Sequence, residues 1–162
     1  MDTLFAPPGE RWQAVSPRLR TVRRTLLTFW LGFGGLAAAI AVGIVVDWRL
    51  AAGVIVVAAA LFGWAWWLID RNWRSWGYAE RGDDLLVTHG VLFKTLVVVP
   101  YGRMQFVDVT AGPVERKFGI AKVQLHTATP ATDAEIPGLT PDEAERLRDR
   151  LAALGEARAT GL

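Results

Sequence analysis

Hydrophobic and polar positions follow two different patterns along this chain. Residues 25–46 and 50–69 are apolar and carry no charged side chain, and only Asp47, Trp48 and Arg49 separate them. As helices they would be about 33 and 30 Å long, which matches a hydrocarbon core roughly 30 Å thick. The pattern predicts a membrane-spanning α-helical hairpin. A buried hairpin in a soluble protein would normally keep a polar stripe, which neither stretch has. A cleaved signal peptide has a shorter apolar region and no second span directly behind it, so the first stretch reads as retained.

Beyond residue 70 the pattern shortens to β-rich runs divided by turn residues. Residues 76–81 end at Gly82-Asp83-Asp84, 85–89 at Gly90, 91–99 at Pro100, and 103–110 at Ala111-Gly112-Pro113. Residues 122–127 alternate, with Val123, Leu125 and Thr127 on one face and Lys122, Gln124 and His126 on the other. The last element is a helix announced by Thr140-Pro141-Asp142-Glu143: a capping threonine, a proline in the first turn and an acid placed to return a hydrogen bond. Ala144, Leu147, Leu151 and Leu154 recur on one face of it, and Gly155 is the expected stop. Strands followed by one amphipathic helix predict a small, mainly-β (α+β) barrel or sandwich with the helix closing an open end.

Charge adds orientation. Arg18, Arg20, Arg23 and Arg24 precede the first span and Arg71 and Arg74 follow the second, which places both termini of this multi-pass membrane protein on the cytoplasmic side. Trp64, Trp66, Trp67, Trp73, Trp76 and Tyr78 crowd the exit of the second span, where indole and phenol rings suit the headgroup layer. The pI of about 9.4 suggests a nucleic-acid or anionic-lipid partner until the charge is located. Residues 1–24 hold five arginines against Asp2 and Glu10, whereas from residue 71 onward twelve basic and twelve acidic residues balance. The excess flanks the membrane, so no nucleic-acid partner is expected.

Composition removes several chemistries. The chain has no cysteine, hence no disulfide, thiolate metal site or cysteine nucleophile. His89 and His126 lie in separate strands without metal-ligand spacing, and no P-loop or dinucleotide fingerprint occurs. Asp83-Asp84 suits a turn and Asp142-Glu143 a helix N-terminus better than paired-carboxylate catalysis. No ionisable residue lies inside either span, so transport by this chain alone is not expected. No catalytic residue, metal or cofactor is expected.

The run Val99-Pro100-Tyr101-Gly102-Arg103-Met104-Gln105-Phe106-Val107-Asp108-Val109, then Gly112-Pro113-Val114-Glu115-Arg116-Lys117-Phe118-Gly119-Ile120-Ala121, resembles the bacterial pleckstrin-homology (PH) domain of membrane proteins. Thr127-Ala128 and Ile136-Pro137-Gly138-Leu139 fit the same pattern. The resemblance covers residues 73–155, and the paired spans resemble those of the family's short members. Phe106 stands where the family commonly has a small or polar residue, and residues 129–133 replace a more Gly-rich turn. The resemblance implies a seven-stranded bent sheet capped by one C-terminal helix, held at the inner face of the plasma membrane, without catalytic activity. Short members are often encoded beside longer relatives with repeated copies of the domain, which implies a hetero-oligomer with such a protein. The organisation expected is a cytoplasmic tail over 1–24, the hairpin over 25–70, the PH-like domain over 73–155 and a flexible tail over 156–162.

Arg103, Gln105, Arg116, Lys117 and Lys122 are the candidate contacts for a ligand or partner, since Arg and Lys grip phosphate or carboxylate. The plainer reading has Arg103 and Gln105 tying strands and loops, Gly112-Pro113 making a turn and Phe118 in the core. Two functions stay open. One is a non-enzymatic interaction or scaffold module that assembles as a homo-oligomer or with a longer membrane protein. The other is a lipid-recognition module that reads anionic headgroups through Arg103, Arg116, Lys117 and Lys122.

Overall fold

The computed structural model describes residues 7, 9–128 and 133–159. They fall into two compact units, Arg20–Arg71 and the described residues before and after it. The expected turn over 129–133 therefore lies, except for Asp133, outside the described residues, as do residues 1–6, Pro8 and residues 160–162 of the two expected tails.

Two 28-residue helices, Arg18–Val45 and Trp48–Ser75, are long and apolar enough to cross a membrane. The first consists of α1 (Arg18–Leu27), a wider π-type turn over Thr28–Phe33 and α2 (Gly34–Val45); the second is α3 (Trp48–Ser75). Thr25 and Thr28 donate their hydroxyls to the carbonyls of Thr21 and Arg24, so both polar groups are satisfied inside the helix. The Asp47 carboxylate accepts the Arg49 amide at 2.9 Å and starts α3 without a longer loop. A Cβ on Gly35 would lie 3.1 Å from the Ala58 Cβ, and one on Gly43 3.3 Å from the Ala51 Cβ. Small residues let the two backbones approach there.

The other unit holds seven strands in two antiparallel sheets, the arrangement the resemblance implies. β1 (Gln13–Ala14), β2 (Gly77–Glu80), β3 (Asp84–His89) and β4 (Thr95–Pro100) form the first in that order; β5 (Met104–Thr110), β6 (Ala121–Thr127) and β7 (Ala134–Leu139) form the second. In β6 the alternation seen in the sequence is realised: Ala121, Val123, Leu125 and Thr127 are buried and the residues between them are half-buried. A short helix, α4 (Pro113–Lys117), links β5 to β6, and α5 (Pro141–Ala159) closes the domain with Ala144, Leu147 and Leu151 in the core. The reciprocal bonds expected at its start are present, from the Thr140 amide to the Glu143 carboxylate (3.1 Å) and from the Glu143 amide to the Thr140 hydroxyl (3.4 Å).

Several expectations change. The segment expected as an N-terminal tail contributes β1, whose Gln13 and Ala14 lie opposite Tyr78 and Gly77, and it buries Val15 and Leu19. Residues 91–94 are a turn, and the strand begins at Thr95, because Gly90 takes φ +109° and folds back on the Phe93 carbonyl. Gly155 stays helical: α5 runs on to Ala159, since a glycine inside a helix costs only about 1 kcal/mol. The expected C-terminal tail accordingly begins as helix over 156–159. Finally, Tyr78 is 1% exposed and therefore a core residue, its hydroxyl donating to the Gln13 amide oxygen at 2.8 Å. Trp73, placed by sequence in the headgroup layer, donates its indole N–H to the carbonyls of Val15 (3.2 Å) and Ser16 (3.1 Å).

The chain has two tyrosines, and both are in this core. Burial, helped by nearby carboxylates, raises the Tyr78 phenol above its ordinary value and pushes Tyr101 up to about 12. The Tyr101 hydroxyl donates to the Arg81 carbonyl at 3.0 Å, a bond that needs the neutral phenol. A raised phenol pKa favours the folded state below the unfolded value near 10, and that contribution disappears as pH climbs toward 12. Near-ultraviolet absorbance should thus show less tyrosinate at pH 10 in the native protein than the half-ionisation of free tyrosine, and Tyr101→Phe should remove the step near 12. A native titration centred at the free-tyrosine value would contradict this packing.

Candidate functional site

β5 separates the five candidate contacts into two groups. Arg103 ends a short 3-10 turn over Tyr101–Arg103 just before the strand, and Gln105 sits at a bulge where the register with β6 shifts between Met104 and Phe106. Arg116 and Lys117 are on α4, two residues past the other end of β5, and Lys122 lies opposite Thr110. Six residue steps of strand, about 20 Å at roughly 3.4 Å each, lie between the groups, so the five side chains do not share one surface.

The α4 group rests on turn chemistry. The Glu115 carboxylate accepts the Gly112 amide at 2.7 Å, Gly119 takes φ +63°, and Phe118 is half-buried rather than sealed in the core. Arg116 and Lys117 are exposed, and the Lys122 ammonium is 3.4 Å from the Glu135 carboxylate. This end of the sheet is a basic corner on a rigid turn.

The opposite end carries a groove. Met104, Gln105 and Phe106 on β5 face Leu151, Ala152 and Gly155 on α5 across a cavity of about 350 Å³. A Cβ on Gly155 would be 3.6 Å from the Met104 methyl, so α5 approaches closely at this point. Among the described residues β5 pairs with β6 alone, which leaves its other edge open. No residue of β5 is buried, and Phe106 is 52% exposed.

The Phe106 ring stacks on His126 with centroids 4.4 Å apart. The His126 Nδ1 is 3.4 Å from the Asp133 carboxylate and its Nε2 is 4.0 Å from that of Asp108. The Thr127 amide, donating at 2.8 Å, is the main reason the Asp133 carboxyl lies below the ordinary carboxylate range. His89 stacks on Trp76 instead, 4.8 Å between centroids. Glu80 receives Arg146 (3.3 Å) and Arg150 (2.9 Å) from α5, and Asp83 pairs with Arg158. Among the described residues no group of three or more histidines and carboxylates is placed to hold a metal.

Sequence reasoning noted Phe106 only as a departure and missed the groove residues of α5. Leu151 was legible as core, but Ala152 and Gly155 acquire a role only once β5 and α5 are docked.

Residues 25–155 match the family described as bacterial PH domain. The UPF0699 transmembrane protein YdbS of Bacillus subtilis (strain 168) is 32% identical, the match covering 66% of this chain and 79% of that protein. The UPF0699 transmembrane protein YdbT of the same organism is 26% identical over 68% of this chain, which corresponds to 20% of its own length. No solved structure matches.

Proposed function

We propose, from the premise that this chain belongs to the bacterial PH domain family, that it is a non-enzymatic interaction module of the membrane. The two apolar helices and the transmembrane relatives support the anchoring. Both termini face the cytoplasm, as the arginines flanking the spans suggest, and the host bilayer is the plasma membrane, as the family resemblance implies. The open edge of β5 is the observation that carries the reading. An edge strand offers unpaired backbone donors and acceptors to an incoming strand, and the neighbouring groove offers Phe106 and Met104 as apolar anchors. The partner is a related PH-like domain, in a second copy or in a longer membrane protein. A region of YdbT resembling this chain supports that choice, because in one organism a short and a long protein then carry similar domains.

Crosslinking in native membranes, gentle solubilisation and mass determination test the proposal. A complex of defined stoichiometry is expected, and Phe106→Asp should lower its yield by an order of magnitude or so, on the scale of about 1.4 kcal/mol per tenfold. An exposed Phe tolerates that change without unfolding. Recovery of a lone chain with lipid, unaffected by Phe106→Asp, would overturn the assembly reading. It would favour headgroup recognition at the α4 corner, where Arg116, Lys117 and Lys122 gather without Arg103.

A further inference from the structure

We propose that the tip of the β3–β4 hairpin, Leu92 and Phe93, is a lipid contact that dips into the membrane interface beside the exit of α3. Outside the spans these are the two most exposed large apolar side chains among the described residues, at 83% and 87%. Ile44 and Val45 at the end of α2 are exposed to the same degree, 81% and 80%, with lipid or headgroups as their natural cover. Single exposed leucines are ordinary, but two adjacent large apolar residues at a turn tip are not.

Connectivity identifies what covers them. The Gly90 amide donates to the Ser75 hydroxyl at 3.2 Å, and that hydroxyl donates in turn to the Asn72 carbonyl at 2.7 Å. Trp76 stacks on His89, and Gly77 lies opposite Thr88, so the tip is held to the last turn of the helix that leaves the bilayer. Ser75 is six residues, about 9 Å of helix, beyond Ile69, the last residue of the apolar run. The headgroup layer on one side of a bilayer is roughly 5–8 Å deep. Leu92 and Phe93 lie at the tip of a turn that closes back on Gly90, so their long side chains, rather than extended backbone, span the few ångströms by which Ser75 clears that layer. Gly90 makes the tip stiff: at φ +109° the place of a Cβ is taken by the Phe93 carbonyl oxygen. Lys94 follows with its charge at the rim, the usual arrangement for a basic side chain beside an inserted apolar one.

The cysteine-free chain makes the test direct. Phe93→Cys and Leu92→Cys, each in the full chain, carry an environment-sensitive fluorophore in phosphatidylcholine–phosphatidylglycerol vesicles at high lipid excess. Asp83→Cys, in the exposed turn at the other end of β3, serves as the aqueous reference. Labels at 92 and 93 should emit to the blue of the label at 83. They should be quenched several-fold more by a spin label on a lipid chain, and several-fold less by aqueous iodide. Equal iodide access at 83, 92 and 93 would overturn the proposal. Protection of the tip from both quenchers would also overturn it, because protein rather than lipid would then cover these residues.

Discussion

Gly138→Val is expected to destabilise the PH-like domain by on the order of 4 kcal/mol, a large share of the 5–15 kcal/mol typical of a whole domain. Gly138 takes φ +73°, which costs a non-glycine residue about 1–3 kcal/mol. A Cβ there would lie 2.7 Å from the Leu19 Cβ and 3.0 Å from its Cδ2, too close for any side chain. Leu19 is 4% exposed, and expelling it forfeits about 1.5–3 kcal/mol of burial. The Gly138 carbonyl also accepts the Ser16 amide at 2.9 Å, which ties the segment before the first span to β7. Denaturant unfolding followed by near-ultraviolet circular dichroism should show the loss, and hydrogen exchange should show the Ser16 amide unprotected. Gly102→Val is the control: it needs no positive φ, and its nearest outside atom, the Arg158 Cβ, is 3.8 Å away. A Gly138→Val protein with the stability of the control would refute this role of the glycine.

That contact also shows where the sequence stops being informative. Local signals were readable: the charge-free spans, the alternation of β6 and the Thr140–Glu143 cap are each decided within a few neighbouring residues, and all three are present. Long-range pairing was not. Gln13 opposite Tyr78 joins residues from either side of the spans, and no periodicity in 9–17 announces a strand too short to alternate. Burial of Tyr78 follows from that pairing, which is why an amphipathic ring near a membrane boundary was read as an anchor. The candidate contacts failed differently. Arg103, Gln105, Arg116 and Lys117 look like one motif because they are close in sequence, whereas an extended strand between them separates the two ends. The groove needed two docked elements, and the open edge of β5 needed the strand order. Leu92 and Phe93 looked like strand residues because their composition is strand-like; only the conformation of Gly90 turns them outward.

Asp70→Asn is expected to loosen the helical hairpin by on the order of 2 kcal/mol, between the small worth of exposed ion pairs and the 3–5 kcal/mol lost when a buried pair is broken. The Asp70 carboxylate near the end of α3 accepts Arg20 at 3.0 Å and Arg24 at 3.3 Å from α1. The three side chains are 21–33% exposed, so water screens them only in part. Arg24 also lies over the Trp66 ring, 4.4 Å from its centroid, a contact that needs the guanidinium held in place. Asparagine keeps the shape and one acceptor but removes the charge that balances two arginines. Alone in its span-flanking turn, Asp70 reads in the sequence merely as one acid among the charges; the structure makes it the tie between the start of one spanning helix and the end of the other. A double-mutant cycle with Arg24→Gln, read as thermal unfolding of the full chain in a mild nonionic detergent, isolates the pair. Coupling near 1 kcal/mol or more is expected, and it should shrink only modestly in salt because the groups are half-buried. Coupling of zero would mean that Arg24 serves topology alone and that Arg20 and the glycine-lined contacts at Gly35 and Gly43 hold the helices together without it.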